Sequence, residues 1–275
     1  MNYKLICIDM DGTLLDDNHL ISEENKKAIK EAHNRGVVIA VTTGRLFTSA
    51  SYSYSLLDIE GPIIASNGTY IRERSKEEFI YKDTFTLEEC NELNEILNKS
   101  NLTHYFYTHN TALGSETLPE NHPYVAFNKE VSEDLRIHFC IKEDLSPLFK
   151  EYENEVLKAI VIEKKDKEAL LKVKNELKSL DKFEVVSSGP YNFEIMKKGS
   201  SKGSAVQRLA ESLGIKQEQV ICMGDNENDL SMIRYAGLGI AMGNAVDLLK
   251  NEANYITDTN VNSGVGKAIR KFVLN

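Results

Sequence analysis

Four stretches of this sequence place polar, chemically capable residues just after an apolar run. They are Asp9-Met10-Asp11-Gly12-Thr13, Thr42-Thr43-Gly44-Arg45, Ser66-Asn67-Gly68 and Gly224-Asp225-Asn226-Glu227-Asn228-Asp229. A fifth, Ser201-Lys202-Gly203, opens an expected helix. Carboxylates such as Asp9, Asp11, Asp225 and Asp229, gathered in one pocket, repel one another and resist ionisation unless a cation sits among them. Hard oxygen donors without a His or Cys companion select Mg²⁺ over Zn²⁺. Mg²⁺ keeps waters and takes substrate phosphate oxygens to complete its octahedron. Lys202, Thr43 and backbone N–H groups near Gly12 and Gly44 could then donate to the phosphate oxygens that remain. Each piece alone has a plainer reading. Asp-x-Asp-Gly is a common turn, Thr-Gly-Arg a common loop, and a lysine ahead of a helix is usually solvated. The ordered set at successive strand ends is what points to a phosphate site.

The elements that must hold these residues follow from periodicity. Leu5–Ile8, Val37–Val41 and Pro62–Ala65 are short continuous apolar runs, expected of strands covered on both faces. Between the first two, Ser22 could cap a helix carrying Ala28, Ile29 and Ala32, with Gly36 as its stop. The last eighty or so residues return to this alternation. Val206, Leu209, Ala210 and Leu213 fall at helical spacing, Val220–Met223 and Gly239–Met242 read as strands, and Ala268–Val273 suits a closing helix. The repeated strand–helix–strand order implies an α/β fold with a Rossmann-like parallel sheet. Ligands of such sheets bind beyond the carboxyl ends of the strands, where the polar stretches lie.

The middle of the chain differs. Thr86-Leu87-Glu88-Glu89 is a capping box ahead of Cys90, Leu93 and Leu97. Alternating strands are expected at 104–108, 136–141, 157–163, 183–186 and 191–196, with a helix through Leu170 and Leu177. This reads as an inserted α+β domain at 84–190, between core segments 1–83 and 191–275.

Composition limits the partners. Of 275 residues, 41% are hydrophobic and 27% charged, an ordinary globular balance, and 42 acidic against 33 basic side chains leave a net charge of −9. That sign argues against nucleic acid or an anionic membrane as the main partner. No apolar run approaches the roughly 18 residues of a membrane span, and nothing reads as a signal peptide. The four cysteines (Cys7, Cys90, Cys140, Cys222) are scattered and expected to be reduced. A cytoplasmic monomer is the expectation.

The residues Asp9-Met10-Asp11-Gly12-Thr13-Leu14, Thr43, Lys202 and Gly224-Asp225-x-x-Asn228-Asp229 resemble motifs I to IV of the haloacid dehalogenase (HAD) superfamily. The insert between the second and third motifs is similar to the C2B cap of the Cof-type subfamily. Lys202-Gly203-Ser204-Ala205 and Ala241-Met242-Gly243-Asn244-Ala245 also look like that subfamily. The resemblance implies a Mg²⁺-dependent phosphatase acting on a small phosphorylated metabolite, such as a sugar or cofactor phosphate. It implies Asp9 as nucleophile, Asp11 as general acid and base, and metal ligation by Asp9, the Asp11 backbone carbonyl and Asp225. Met10, Thr43, Gly44, Lys202 and Asn228 would bind the phosphate, and Asp229 would orient Lys202 or the metal's waters. A phosphomutase and a non-catalytic phosphate-ligand sensor are the alternatives on the same scaffold.

Several residues stay open. Arg45 reads as a substrate or cap contact, or equally as a surface salt bridge. Lys198 rivals Lys202. His104, His109 and His122 could line a sugar site but read first as structural, and Glu194 could hinge the domains or point at the site. Gly237-x-Gly239-x-x-x-Gly243 misses the dinucleotide-binding spacing.

Overall fold

The computed structural model describes residues 3–275. The chain begins with β1 (Leu5–Ile8), α1 (Glu23–Asn34), β2 (Val38–Thr42), α2 (Phe47–Ser55), β3 (Pro62–Ala65), β4 (Tyr70–Glu73) and β5 (Phe79–Lys82). An insert follows: α3 (Leu87–Ser100), β6 (Thr103–Tyr107), β7 (Thr111–Gly114), α4 (Pro123–Glu130), β8 (His138–Ile141), α5 (Ser146–Glu151), β9 (Lys158–Ile162), α6 (Lys167–Ser179), β10 (Phe183–Val186) and β11 (Asn192–Lys197). The chain closes with α7 (Lys202–Ser212), β12 (Val220–Gly224), α8 (Leu230–Tyr235), β13 (Leu238–Ala241), α9 (Asp247–Glu252), β14 (Tyr255–Ile256) and α10 (Gly264–Ile269).

The larger sheet runs β14-β13-β12-β1-β2-β3-β4-β5. Its pairs from β14 through β3 are parallel, and β4 and β5 add an antiparallel end. All four residues of β1 are fully buried, as a strand sandwiched between helix layers requires. Ser22 does cap α1, accepting the Asn25 N–H, and Ala28, Ile29 and Ala32 form the buried face. Since β12 flanks β1 on one side and β2 on the other, the strand order switches at β1 and opens a crevice beyond its carboxyl end.

The smaller sheet runs β10-β11-β9-β6-β7-β8, antiparallel except for the β7–β8 pair. One face carries Phe106, Ala159, Val161, Phe193 and Ile195 into a core shared with α3, α5 and α6. The opposite face, with Tyr107, Lys158, Glu194 and Met196, lies over the loops of the larger sheet. The architecture is therefore the expected Rossmann-like α/β core with an α+β insert.

Two details differ from the sequence reading. Strand β11 pairs with β9 and β10, so the smaller sheet extends through Lys197, past the expected division at 190/191. Its alternation of buried Phe193 and Ile195 with Glu194 and Met196 suits that two-sided sheet. Strands β4, β5 and β7 were not expected. Exposed Phe79 and Ile80 deprive β5 of a buried pattern, and β7 is only Thr-Ala-Leu-Gly.

Candidate active site

Strand β1 delivers Asp9 into the crevice, its N–H bonded to the Met223 carbonyl at 3.0 Å. The chain then turns tightly, the Leu14 N–H donating to the Asp9 carbonyl at 3.1 Å and the Leu15 N–H to Met10 at 2.9 Å. Gly12 makes this turn possible. Its φ is +81°, and a Cβ there would lie 2.5 Å from Asp225 Oδ2. Asn244 Nδ2 steadies the turn by donating to the Gly12 carbonyl at 2.8 Å.

Lys202 is the first residue of α7, which is held by a reciprocal Ser201–Ser204 capping box. Gly203 lets the helix start approach α8 closely, since a Cβ there would meet the Ser231 carbonyl oxygen at 2.4 Å. The fully buried Lys202 Nζ donates to Asp9 Oδ1 and Asp229 Oδ1, each at 2.6 Å. Lys198 is exposed and pairs with Asp181, so the structure gives the buried ammonium to Lys202 alone of the two.

The loop after β12 supplies the other carboxylates. Asp229 Oδ2 accepts the N–H groups of Asp225 at 2.9 Å and Asn226 at 3.0 Å, which fixes the loop. Asp225 Oδ1 accepts from Thr13 Oγ1 at 3.1 Å. One oxygen from each of Asp9, Asp225 and Asp229 lies within 4.8 Å of the others. The Asp11 side chain is outside this cluster. Arg45 Nε donates to its Oδ2 at 2.8 Å and Arg45 Nη2 bonds its other oxygen. Of the expected metal ligands, the side chains of Asp9 and Asp225 are thus together, and Asp11 could contribute only its backbone carbonyl.

Three carboxylates share one ammonium here. Burial, then the charge of Asp229, pushes the Asp9 carboxyl well above the ordinary carboxylate range. The same two causes raise Asp225 to about 7. Burial disfavours charge on Lys202, but Asp229 and Asp9 outweigh it and hold the ammonium protonated. Burial acts to raise Asp11, yet the hydrogen bond and charge of Arg45 prevail and keep it below the usual value.

The loops after β2 and β3 close the crevice. The Thr43 N–H donates to Ile64 at 2.8 Å, and its hydroxyl accepts the Arg45 N–H at 3.1 Å. The Asn67 N–H donates to the Thr43 carbonyl at 3.0 Å, and Asn67 Oδ1 accepts from Asn228 Nδ2 at 3.0 Å. Asn67 and Asn244 were given no role from sequence, although both follow expected strands beside glycine. Each of the three insert histidines has a local partner: His104 bonds Leu102 and Asn94, His109 stacks on Tyr70, and His122 accepts the Tyr124 N–H to cap α4.

Glu194 points at the site. It pairs with Lys158, whose Nζ also donates to the Gly44 carbonyl. Lys158 was missed, though it is a lone charge opening an otherwise apolar strand. A second bridge joins Lys174 of α6 to Glu227 at 2.8 Å. A cleft of about 440 Å³ lies beside it, with Lys202, Asn228 and Asn67 among its lining residues.

Comparison with known proteins agrees with this geometry. A haloacid dehalogenase-like hydrolase family model matches residues 6–269. The chain is 35% identical to the 5-amino-6-(5-phospho-D-ribitylamino)uracil phosphatase YcsE of Bacillus subtilis, over all of this chain and 97% of that protein. It is 29% identical to a phosphoglycolate phosphatase of Methanobrevibacter smithii, over the full length of both. The solved structure of a haloacid dehalogenase-like hydrolase from B. subtilis superposes with a TM-score of 0.86 at 28% identity, covering 98% of this chain and all of the other. With its length matched almost end to end, the chain belongs to the haloacid dehalogenase-like hydrolase family.

Proposed function

We propose that the protein is a Mg²⁺-dependent phosphatase that hydrolyses phosphate monoesters of small metabolites through an aspartyl-phosphate on Asp9. The observation that carries this reading is the buried Lys202 ammonium bonded at 2.6 Å to both Asp9 and Asp229, with Asp225 beside them. The donor set suits a hard divalent cation. Three carboxylates against one ammonium leave uncompensated negative charge, and Asp9 and Asp225 keep one oxygen each free of Lys202 and Thr13. Asp9, the Asp11 carbonyl and Asp225 would hold Mg²⁺, which when bound offsets charge on the phosphoryl oxygens.

Asp9 attacks phosphorus, and the ester P–O bond breaks as Asp11 gives the departing alcohol a proton. Water then attacks the aspartyl-phosphate, Asp11 takes its proton, and the P–O bond to Asp9 breaks to release inorganic phosphate. Lys202, Asn228, the Thr43 hydroxyl and the N–H groups of Met10 and Gly44 orient the phosphoryl group, supplying mainly position and charge stabilisation. Asp11 must leave Arg45 to carry a proton, which a leaving group seated between them achieves. The insert, from about residue 84 through β11, acts as a cap over this site. Bridges to the core such as Lys158 to Gly44, Lys174 to Glu227 and Glu155 to Lys82 favour a closed arrangement that excludes water.

The test is phosphate release from a panel of phosphosugars, polyol phosphates, nucleotides and cofactor phosphates, with and without Mg²⁺. The ribitylaminouracil phosphate named for the B. subtilis relative is its first member. Release that requires both Mg²⁺ and Asp9, lost in Asp9→Asn, is the expected result. Absence of Asp9-dependent release across the panel overturns the reading, and turnover of a bisphosphate without net release indicates phosphoryl transfer between substrate positions instead.

A further inference from the structure

We infer that Tyr107, Lys158 and Glu194 form the subsite that reads hydroxyl groups on the leaving group, an inference that rests on the phosphatase reading above. The three side chains come from β6, β9 and β11 and share the face of the smaller sheet that covers the loop after β2. Tyr107 and Lys158 are direct cross-strand partners. Lys158 Nζ lies 5.4 Å from the centre of the Tyr107 ring and bonds both Glu194 and the Gly44 carbonyl. The Glu194 carboxylate sits over Gly44 so closely that a Cβ there would be 3.0 Å from its Oε1 and 3.3 Å from Asn67 Oδ1. Gly44 lies between Thr43 and Arg45, and Arg45 holds Asp11. The trio therefore covers the loop after β2, whose next residue, Arg45, holds Asp11.

Stability does not account for these groups. The Lys158 and Glu194 side chains are each 3% exposed, and a buried ion pair of this kind commonly adds nothing over well-packed apolar residues. The Tyr107 hydroxyl is buried without a hydrogen-bond partner among the described residues, and leaving a buried donor unpaired is destabilising. Its ring packs edge-on against Tyr124, whose own hydroxyl accepts the Leu46 N–H at 3.0 Å, so the neighbouring phenol is satisfied and this one is not. An unsatisfied phenol, a carboxylate and an ammonium in one patch can donate to and accept from adjacent hydroxyls, each of which needs both. A ligand carrying such hydroxyls would take over Lys158's bond to the Gly44 carbonyl and give the phenol its partner. Sites built to bond a hydroxyl reject analogues that lack it far more strongly than apolar pockets reject a missing methylene.

The experiment compares the best hydroxylated substrate of a polyol- and sugar-phosphate panel with para-nitrophenyl phosphate, whose leaving group has no further hydroxyl. The full chain with Mg²⁺ is used as wild type, Tyr107→Phe, Glu194→Gln and Lys158→Met. The ratio of kcat/KM for the hydroxylated substrate over the aryl phosphate should fall at least tenfold in Tyr107→Phe, mainly through KM. Tyr107→Phe deletes only an unbonded hydroxyl, so it keeps the test decisive if either charge variant fails to fold. A ratio within twofold of wild type in Tyr107→Phe overturns the subsite while leaving the phosphatase reading intact. Calorimetric binding of the same hydroxylated phosphate to Asp9→Asn protein, with and without Tyr107→Phe, separates the two claims. Tyr107-dependent binding alongside a wild type that releases no phosphate would sustain the subsite and sink the phosphatase reading.

Discussion

Replacing Lys202 by Met tests the heart of the site, because this one ammonium separates two buried carboxylates. Met matches the length of the aliphatic stem, so packing changes little and the loss is chiefly charge. In the structure Nζ makes two 2.6 Å charge-assisted bonds, to Asp9 and Asp229, with neither Lys202 nor Asp229 exposed. Deleting one partner of a buried ion pair typically costs about 3–5 kcal/mol, because the remaining charge is left unpaired. That is a large share of the roughly 5–15 kcal/mol by which folded proteins are stable. For a chain of this size it corresponds to a fall in Tm of roughly 10 °C. The assay is thermal unfolding of wild type, Lys202→Met and Lys202→Arg in EDTA, then in Mg²⁺. The full loss is expected for Met in EDTA, with a smaller loss in Mg²⁺, where the cation replaces part of the missing charge. Arg should recover part of the stability by keeping the charge in a bulkier form. Phosphate release by Lys202→Met should drop by about 10²–10³, the usual consequence of removing one charge-stabilising donor. A Met variant within about 1 kcal/mol of wild type in EDTA would refute the reasoning, since it would mean the two carboxylates do not depend on the ammonium.

Three further outcomes follow from the same geometry. Gly12→Ala forces a side chain onto φ +81° and against Asp225, so it should cost about 1–3 kcal/mol and most of the activity, as read by denaturant melts and phosphate release. Asp225→Asn should leave the fold intact but raise the Mg²⁺ concentration for half-maximal activity at least tenfold, and an unchanged metal titration would remove Asp225 from the ligand set. His122 is pushed down by burial, then by Lys164, to about 4, and its ring accepts the Tyr124 N–H at the start of α4. Its depressed value means the unfolded chain binds the proton more readily. The stability it contributes is therefore full above its ordinary pKa near 6.5 and is lost as pH falls towards 4. Urea midpoints across that range should decline in wild type and decline less steeply in His122→Asn, which retains a capping side chain.

Most of the core and the charged set were legible from sequence because local patterns encode them. Four apolar residues before Asp9 require a covered strand, and Ser22 or Ser201 before a periodic run requires a helix start. Asp9, Lys202, Asp225 and Asp229 could be singled out because each follows or opens such an element and each carries charge where a core would otherwise begin. The division at 190/191 fell short because β11 has the same half-buried alternation as the other insert strands, and only its pairing with β9 shows where it belongs.

What sequence could not decide is which polar groups meet. Lys202 bonds Asp9 across 193 positions, and Lys158 reaches Gly44 across 114. Glu194, read from sequence as either a hinge or a site residue, is turned towards the crevice by the register of β11 on β9. The pairing of Asp11 with Arg45 follows from the side-by-side placement of β1 and β2, and the unsatisfied hydroxyl of Tyr107 is likewise fixed by tertiary packing. Short-range signals such as period, caps and turns are set by neighbouring residues, so the sequence alone determined the α/β core, the insert and the candidate charged residues. Burial, register and partner choice depend on distant segments brought together, so only the tertiary structure decided which carboxylates crowd, which ammonium separates them, and which side chains of the insert cover the loop after β2.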